Sequence, residues 1–120
     1  MGKKVLIADD AAIMRAVLRK VLTDHGFDVV GEACDGVEAV EQFKECKPDL
    51  VTMDIVMPRL DGINAVKAIV AIDPASKVVM CSSLGQQEMV IDAIRAGAKA
   101  FITKPFDPAI VLETLTKLAV

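Results

Sequence analysis

The sequence predicts an α/β fold: a doubly wound, five-stranded parallel sheet of strand order 2-1-3-4-5, flanked by five helices. Two observations carry this. Short apolar runs alternate with amphipathic segments of about 10–15 residues along the whole chain, the pattern of βαβ units. Three of the runs also stop at ionisable residues: Val5-Leu6-Ile7-Ala8-Asp9-Asp10, Leu50-Val51-Thr52-Met53-Asp54 and Phe101-Ile102-Thr103-Lys104-Pro105. A parallel sheet gathers all three ends on one edge.

The elements follow in order. A strand near 4–9 leads into a helix near 12–25, where Ile13, Val17, Leu18, Val21 and Leu22 share one face and Gly26 provides the stop. His25 before that glycine belongs at the helix end. A strand near 27–32 precedes a helix near 36–46, whose Glu38, Glu41 and Glu45 form a solvated face. The strand near 49–54 is followed by a helix near 63–72 that Asp73-Pro74 closes. A strand near 77–82, a helix near 85–96 and a strand near 99–103 come next. The last helix, near 108–119, opens on Asp107-Pro108, an N-cap followed by proline at the first helical position. No linker, repeat or low-complexity stretch interrupts the pattern, so residues 1–120 are expected to form a single domain with no output module.

Composition narrows the function. The chain of 120 residues is 53% hydrophobic, enough for a real core and too much for disorder. No apolar run approaches membrane-spanning length, and the start is not expected to act as a signal peptide. A net charge of −3 without a basic block gives no general attraction to nucleic acid. Cys34, Cys46 and Cys81 form no C-x-x-C pair and are expected to be reduced, packed thiols of a cytoplasmic protein. The methionines are mostly core fillers.

The sheet edge carries the chemistry. In open α/β sheets ligands bind beyond the strand C-termini where the winding reverses, here between strands 1 and 3. Crowded carboxylates repel by about 4 kcal/mol per close pair at an effective dielectric near 20, so a cation or shared proton must relieve them. One Asp before a helix would serve as a cap. Asp9 and Asp10 together, facing Asp54, exceed that need and point to a divalent cation. Oxygen ligands without His or Cys favour a hard ion, Mg2+ or alternatively Mn2+. Asp54, apolar on both sides in the sequence, suits a nucleophile toward phosphorus that forms an aspartyl phosphate. Lys104 is either a solvated surface charge or a point cation for a phosphoryl oxygen. Ser82, closing the fourth strand, either satisfies its turn or donates to the same group.

Asp9-Asp10, Met53-Asp54-Ile55-Val56-Met57-Pro58, Asp61-Gly62, Ser82-Ser83 and Lys104-Pro105-Phe106, in this order, resemble the receiver domain of two-component response regulators. The stretch from Met80 to Lys99 is similar to single-domain chemotaxis regulators of the CheY type. The resemblance spans about Lys4 to Leu118 and implies a flavodoxin-like fold and a signalling switch rather than an enzyme with an external substrate. It implies that Asp54 accepts a phosphoryl group from a histidine kinase. Asp10, Asp54 and the Val56 backbone carbonyl would hold Mg2+, with Asp9 acting through water, and Ser82 and Lys104 would bind phosphoryl oxygens. Phe101 would be the switch aromatic, and the Lys104-Pro105 bond would be cis. Implied partners are the kinase, a phosphatase and a flagellar motor switch protein, the last on a face around Val90, Ile91, Ala100 and Thr103. The expected state is a cytoplasmic monomer that contacts neither nucleic acid nor membrane. Val56 and Leu84 depart from the polar residues many relatives carry there, which implies an altered phosphoryl lifetime.

Other functions fit less well. A haloacid-dehalogenase-like phosphatase places an acid two residues after its Asp nucleophile, where this chain has Val56. A flavodoxin-like cofactor carrier would meet repulsion from Asp9 and Asp10, and no P-loop motif is present. A phosphorelay intermediate remains an alternative within the receiver class.

Overall fold

The computed structural model describes residues 2–83 and 87–119, apart from the side chain of Gln87. The strands are β1 (Lys4–Ala8), β2 (Asp28–Ala33), β3 (Leu50–Asp54), β4 (Val78–Ser82) and β5 (Ala100–Thr103). They alternate with α1 (Ala12–Asp24), α2 (Gly36–Cys46), α3 (Gly62–Ile72), α4 (Gln87–Ala96) and α5 (Pro108–Ala119). All pairings are parallel and the order is β2-β1-β3-β4-β5, as the sequence predicts. The expected start of the fourth helix at 85, like Leu84, lies outside the described residues.

β3 and β4 are buried along their whole length, and β1 is buried after Lys4. A strand covered on both faces needs apolar residues at successive positions, which explains the unbroken runs. One face packs Leu6, Val51, Met53, Val78 and Met80 against Phe43 of α2, Ile69 of α3 and Ala93 of α4. The other packs Val5, Ile7, Leu50, Val79 and Ile102 against Leu18 and Leu22 of α1 and Val111 and Leu115 of α5. Each fully buried Leu or Ile stabilises the fold by about 1.5–3 kcal/mol.

The helix ends follow local chemistry. Asp61 caps α3 by accepting from the Asn64 amide at 2.9 Å. At α5 the Asp107 carboxylate accepts from the Ala109 amide at 2.9 Å. His25 caps the C-terminal end of α1, with Nδ1 2.9 Å from the Val21 carbonyl oxygen.

Three expectations need correction. The apolar face of α1 splits: Leu18 and Leu22 are buried, whereas Ile13 is 74% exposed and Val17 44% exposed. The five positions span about half the helix circumference at 3.6 residues per turn, more than the sheet can cover. Glu38 is not purely solvated. Its carboxylate accepts from the Cys34 amide at 3.2 Å, while Asp35 accepts from the Glu38 amide at 2.8 Å, a reciprocal cap at the start of α2. Finally, Cys81 is packed and Cys46 half-buried, but Cys34 is exposed.

Candidate functional site

The C-terminal ends of β1, β3, β4 and β5 bring Asp9, Asp54, Ser82 and Lys104 together. Asp54 is the last residue of β3 and is 7% exposed. Asp9 lies just past β1, is 2% exposed and is held at each polar group. Its amide donates to the Ala33 carbonyl at 3.0 Å, and Oδ1 accepts from the Ala11 amide at 2.9 Å. Its carbonyl accepts from Arg15 Nη1 at 2.6 Å, and Oδ2 accepts from Lys104 Nζ at 2.7 Å. Asp10 is exposed, and its carboxylate makes no hydrogen bond or ion pair with any described residue. Neither acid caps α1, whose N-cap is Ala11 with no side-chain bond. Capping therefore accounts at most for the Asp9–Ala11 bond and gives Asp10 no role.

Lys104 binds the cluster at two levels. Its backbone amide donates to the Ser82 carbonyl at 2.7 Å, tying the end of β5 to that of β4. Its ammonium lies 2.7 Å from Asp9 Oδ2 and 3.5 Å from Asp54 Oδ2. It is not a solvated surface charge: its side chain is 13% exposed. Burial alone would lower the Lys104 pKa, but the bond to Asp9 and the charges of Asp54 and Asp9 outweigh it and raise it. The ammonium therefore stays charged. Burial lifts the Asp54 carboxyl above its usual range, the Asp9 charge adds to the rise, and Lys104 offsets only part of it. Beside them, burial pushes the Cys81 thiol up to about 12, so it packs as a small neutral group.

A divalent ion fits this donor set. Asp9, Asp10 and Asp54 each offer a carboxylate oxygen, and the three atoms lie within 4.8 Å of one another. Octahedral Mg2+ with ligands at about 2.05 Å places oxygens about 3–4 Å apart, so the cluster needs only slight closure or a bridging water. Three ionised carboxylates against one ammonium leave two net negative charges, which a divalent cation balances.

Val56 follows Asp54 by two residues and is 69% exposed. It lines a groove with Met57, Ile63 and Met89. Ser82 is buried at the end of β4, paired in register with Thr103. Phe101 is half-buried on the α4 side of the sheet, packed against the core that contains Met80. The Lys104-Pro105 bond is cis, as expected.

Some contributors escaped sequence reasoning. Gly62 packs so closely on β3 that an added Cβ would lie 1.9 Å from the Asp54 carbonyl oxygen. Arg15 reaches back from α1 to Asp9 and also donates to Glu32 on β2 at 3.1 Å. Arg59, in the left-handed region at φ 65°, forks onto Asp35 at 2.9 and 3.2 Å and braces the loop after β3 against α2. Arg59 holds the Asp35 carboxyl below its usual range.

A protein-family model described as the response regulator receiver domain matches residues 5–116. The chain belongs to that family. This receiver is 58% identical to the chemotaxis protein CheY of Thermotoga maritima over 119 residues, covering 99% of each chain. It is 56% identical to the Bacillus subtilis chemotaxis protein CheY, covering 98% of each. Among solved structures it is similar to a chain of the CheX-CheY complex with BeF3 and Mg2+ from Borrelia burgdorferi. That match has a TM-score of 0.94 at 39% identity and covers 98% of the receiver and 90% of the other chain. Together these make it a CheY-type response regulator receiver, a signalling switch rather than a classical enzyme. Among its described residues, no helix is long and apolar enough to cross a membrane.

Proposed function

We propose that this receiver is switched by transfer of a phosphoryl group from a histidine kinase to Asp54 and signals by binding a protein of the flagellar motor. The observation that carries this reading is the buried Asp54 carboxylate, 3.5 Å from the Lys104 ammonium and within 4.8 Å of two further acids. An Asp54 oxygen attacks phosphorus, the bond from phosphorus to the kinase imidazole breaks, and the imidazole leaves with the bonding pair. The Lys104 ammonium and the Ser82 hydroxyl at the end of β4 bind the transferred oxygens. Mg2+ held by Asp9, Asp10, Asp54 and the Val56 carbonyl would neutralise charge on the phosphoryl group.

The phosphoryl group adds about −1.5 to −2 charges and three acceptor oxygens at pH 7. Ser82 and Lys104 reorganise around it, and Phe101 turns inward as the switch aromatic. Turning a 1:99 population into 99:1 requires about 5.5 kcal/mol of preference for the active state. In this reading the output face is the one around Val90, Ile91, Ala100 and Thr103. Ile91 and Thr103 are exposed there. The complex of CheX with CheY supports docking of a protein partner on receivers of this type. The working state is a cytoplasmic monomer, with a phosphatase to reset it.

The exposed Val56 offers no hydrogen bond to a hydrolytic water, so Val56→Asn is expected to change the adduct half-life. The absence of an acid at this position argues against a dehalogenase-like phosphatase. The test incubates the protein with acetyl phosphate, with and without Mg2+, beside Asp54→Asn, and reads intact mass and capture of motor switch proteins. A labile single adduct needing both Mg2+ and Asp54, and partner capture by that form alone, is the expected result. No adduct under any condition would overturn the phosphoacceptor role. Transfer onward to a second histidine protein without motor binding would make it a phosphorelay intermediate.

A further inference from the structure

We propose that Arg15 is a positioning residue that sets the Asp9-Asp10 peptide for divalent-cation binding, with Glu32 holding its guanidinium in place; this rests on reading the acid cluster as a cation site. Asp10 is exposed and its carboxylate has no partner among the described residues. The backbone that carries it therefore fixes where that side chain departs, while its χ angles stay free until it binds. The peptide joining Asp9 to Asp10 is planar, so fixing its carbonyl fixes the plane from which the Asp10 side chain departs. Arg15 Nη1 donates to that carbonyl at 2.6 Å. The same guanidinium donates through Nε to Glu32 Oε1 at 3.1 Å, and Arg15 is 19% exposed at its side chain. Glu32 sits on β2 opposite Ile7 of β1, so the brace is anchored in the sheet that carries the site. A planar fork can span these two acceptors in one rigid geometry, whereas a lysine ammonium at the same place is a flexible point charge.

Charge and geometry predict opposite signs, which makes the inference decidable. Arg15 is a cation beside a cation site, so by Coulomb's law alone its removal strengthens binding. If Arg15 positions the peptide, its removal weakens binding, and Lys does not restore it. Outer-sphere groups that orient metal ligands typically contribute 10–100-fold in affinity, and a brace acting through backbone is expected near ~10-fold.

The experiment titrates Mn2+ into the unphosphorylated protein and measures free Mn2+ by electron paramagnetic resonance, with Mg2+ as competitor. Arg15→Met and Arg15→Lys are both expected to bind Mn2+ ~10-fold more weakly, and Glu32→Gln, which keeps an acceptor oxygen, within about twofold of wild type. Arg19→Met is the control for stability. It removes the second arginine on Glu32, bonded at 2.6 Å, without touching Asp9, and is expected to leave affinity unchanged. Thermal melts in EDTA confirm that each variant is folded. Equal or tighter Mn2+ binding by Arg15→Met, or an equal loss in Arg19→Met, would overturn the assignment. Failure of the wild type itself to bind Mn2+ would instead overturn the underlying cation-site reading.

Discussion

Replacing Gly62 with Ala tests how closely the site depends on the packing beneath it. The new Cβ would lie 1.9 Å from the Asp54 carbonyl oxygen, 2.8 Å from its carbonyl carbon and 2.9 Å from Ile55 Cα. All three are backbone atoms, so no side chain can turn aside. Ordinary contact sits near ~3.5 Å, and the start of α3 must move from the end of β3 by roughly 1.5 Å. That movement breaks the bond from the Gly62 amide to the Ile55 carbonyl at 2.8 Å, worth about 1 kcal/mol. Overpacking adds about 1–3 kcal/mol. The expected total is about 3 kcal/mol, or a fall in Tm of about 10 °C. A displacement of 1 Å at a reacting group costs on the order of 100-fold in rate, so phosphorylation by acetyl phosphate should fall by about that factor. Gly26→Ala is the comparison. Gly26 has φ +87° with open space around its would-be Cβ, so the change costs about 1–2 kcal/mol of strain and leaves phosphorylation untouched. Urea unfolding and the rate of mass gain with Mg2+ read the two effects separately. Wild-type stability and rate in Gly62→Ala would refute the reasoning.

The other predictions concern buried polar groups and the cation. Thr52 Oγ1 is buried without a hydrogen-bond partner, so Thr52→Val is expected to stabilise by about 1 kcal/mol, seen as a higher urea midpoint at unchanged m. Burial raises the Asp54 pKa in the folded state, so its contribution to stability falls as pH rises from the unfolded value through the folded one. Asp54→Asn should accordingly melt higher than wild type at pH 7 in EDTA and lose that advantage below pH ~3.9; a constant difference across pH would contradict the burial argument. Mg2+ at about 100 times its dissociation constant should stabilise wild type by about 2.7 kcal/mol. Asp10→Asn should show a smaller shift in calorimetry, and identical shifts would remove Asp10 from the cation site.

The central strands were legible because β1, β3 and β4 are buried on both sides and need consecutive apolar residues, as Val78-Val79-Met80-Cys81 displays. Helix caps such as Asp107 were legible because the chemistry is local. The acids and Lys104 could be placed on one edge because topology decides that. What escaped depends on contacts between distant segments. Arg15 and Glu32 are 17 residues apart, and Arg59 and Asp35 are 24 apart, so each charge alone resembles a solvated surface group. Gly62 stood out as part of Asp61-Gly62, but the need for hydrogen in place of a side chain arises only where α3 meets Asp54. The breadth of the apolar stripe on α1 could not reveal which half the sheet covers.

Lys104 holds Asp9 at 2.7 Å and Asp54 at 3.5 Å, while its amide holds β4. In the unmodified protein the site is thus neutralised in part by its own lysine. If Asp54 is phosphorylated as proposed, the phosphoryl group would present that ammonium with a stronger anion than the Asp54 carboxylate. A stronger anion would draw the ammonium toward itself and so loosen its 2.7 Å contact with Asp9. The same shift would free an Asp9 oxygen and pull on the segment whose Lys104 amide is bonded to the Ser82 carbonyl. Charge state at the rim and strain between β4 and β5 would then be two readings of a single change of partner.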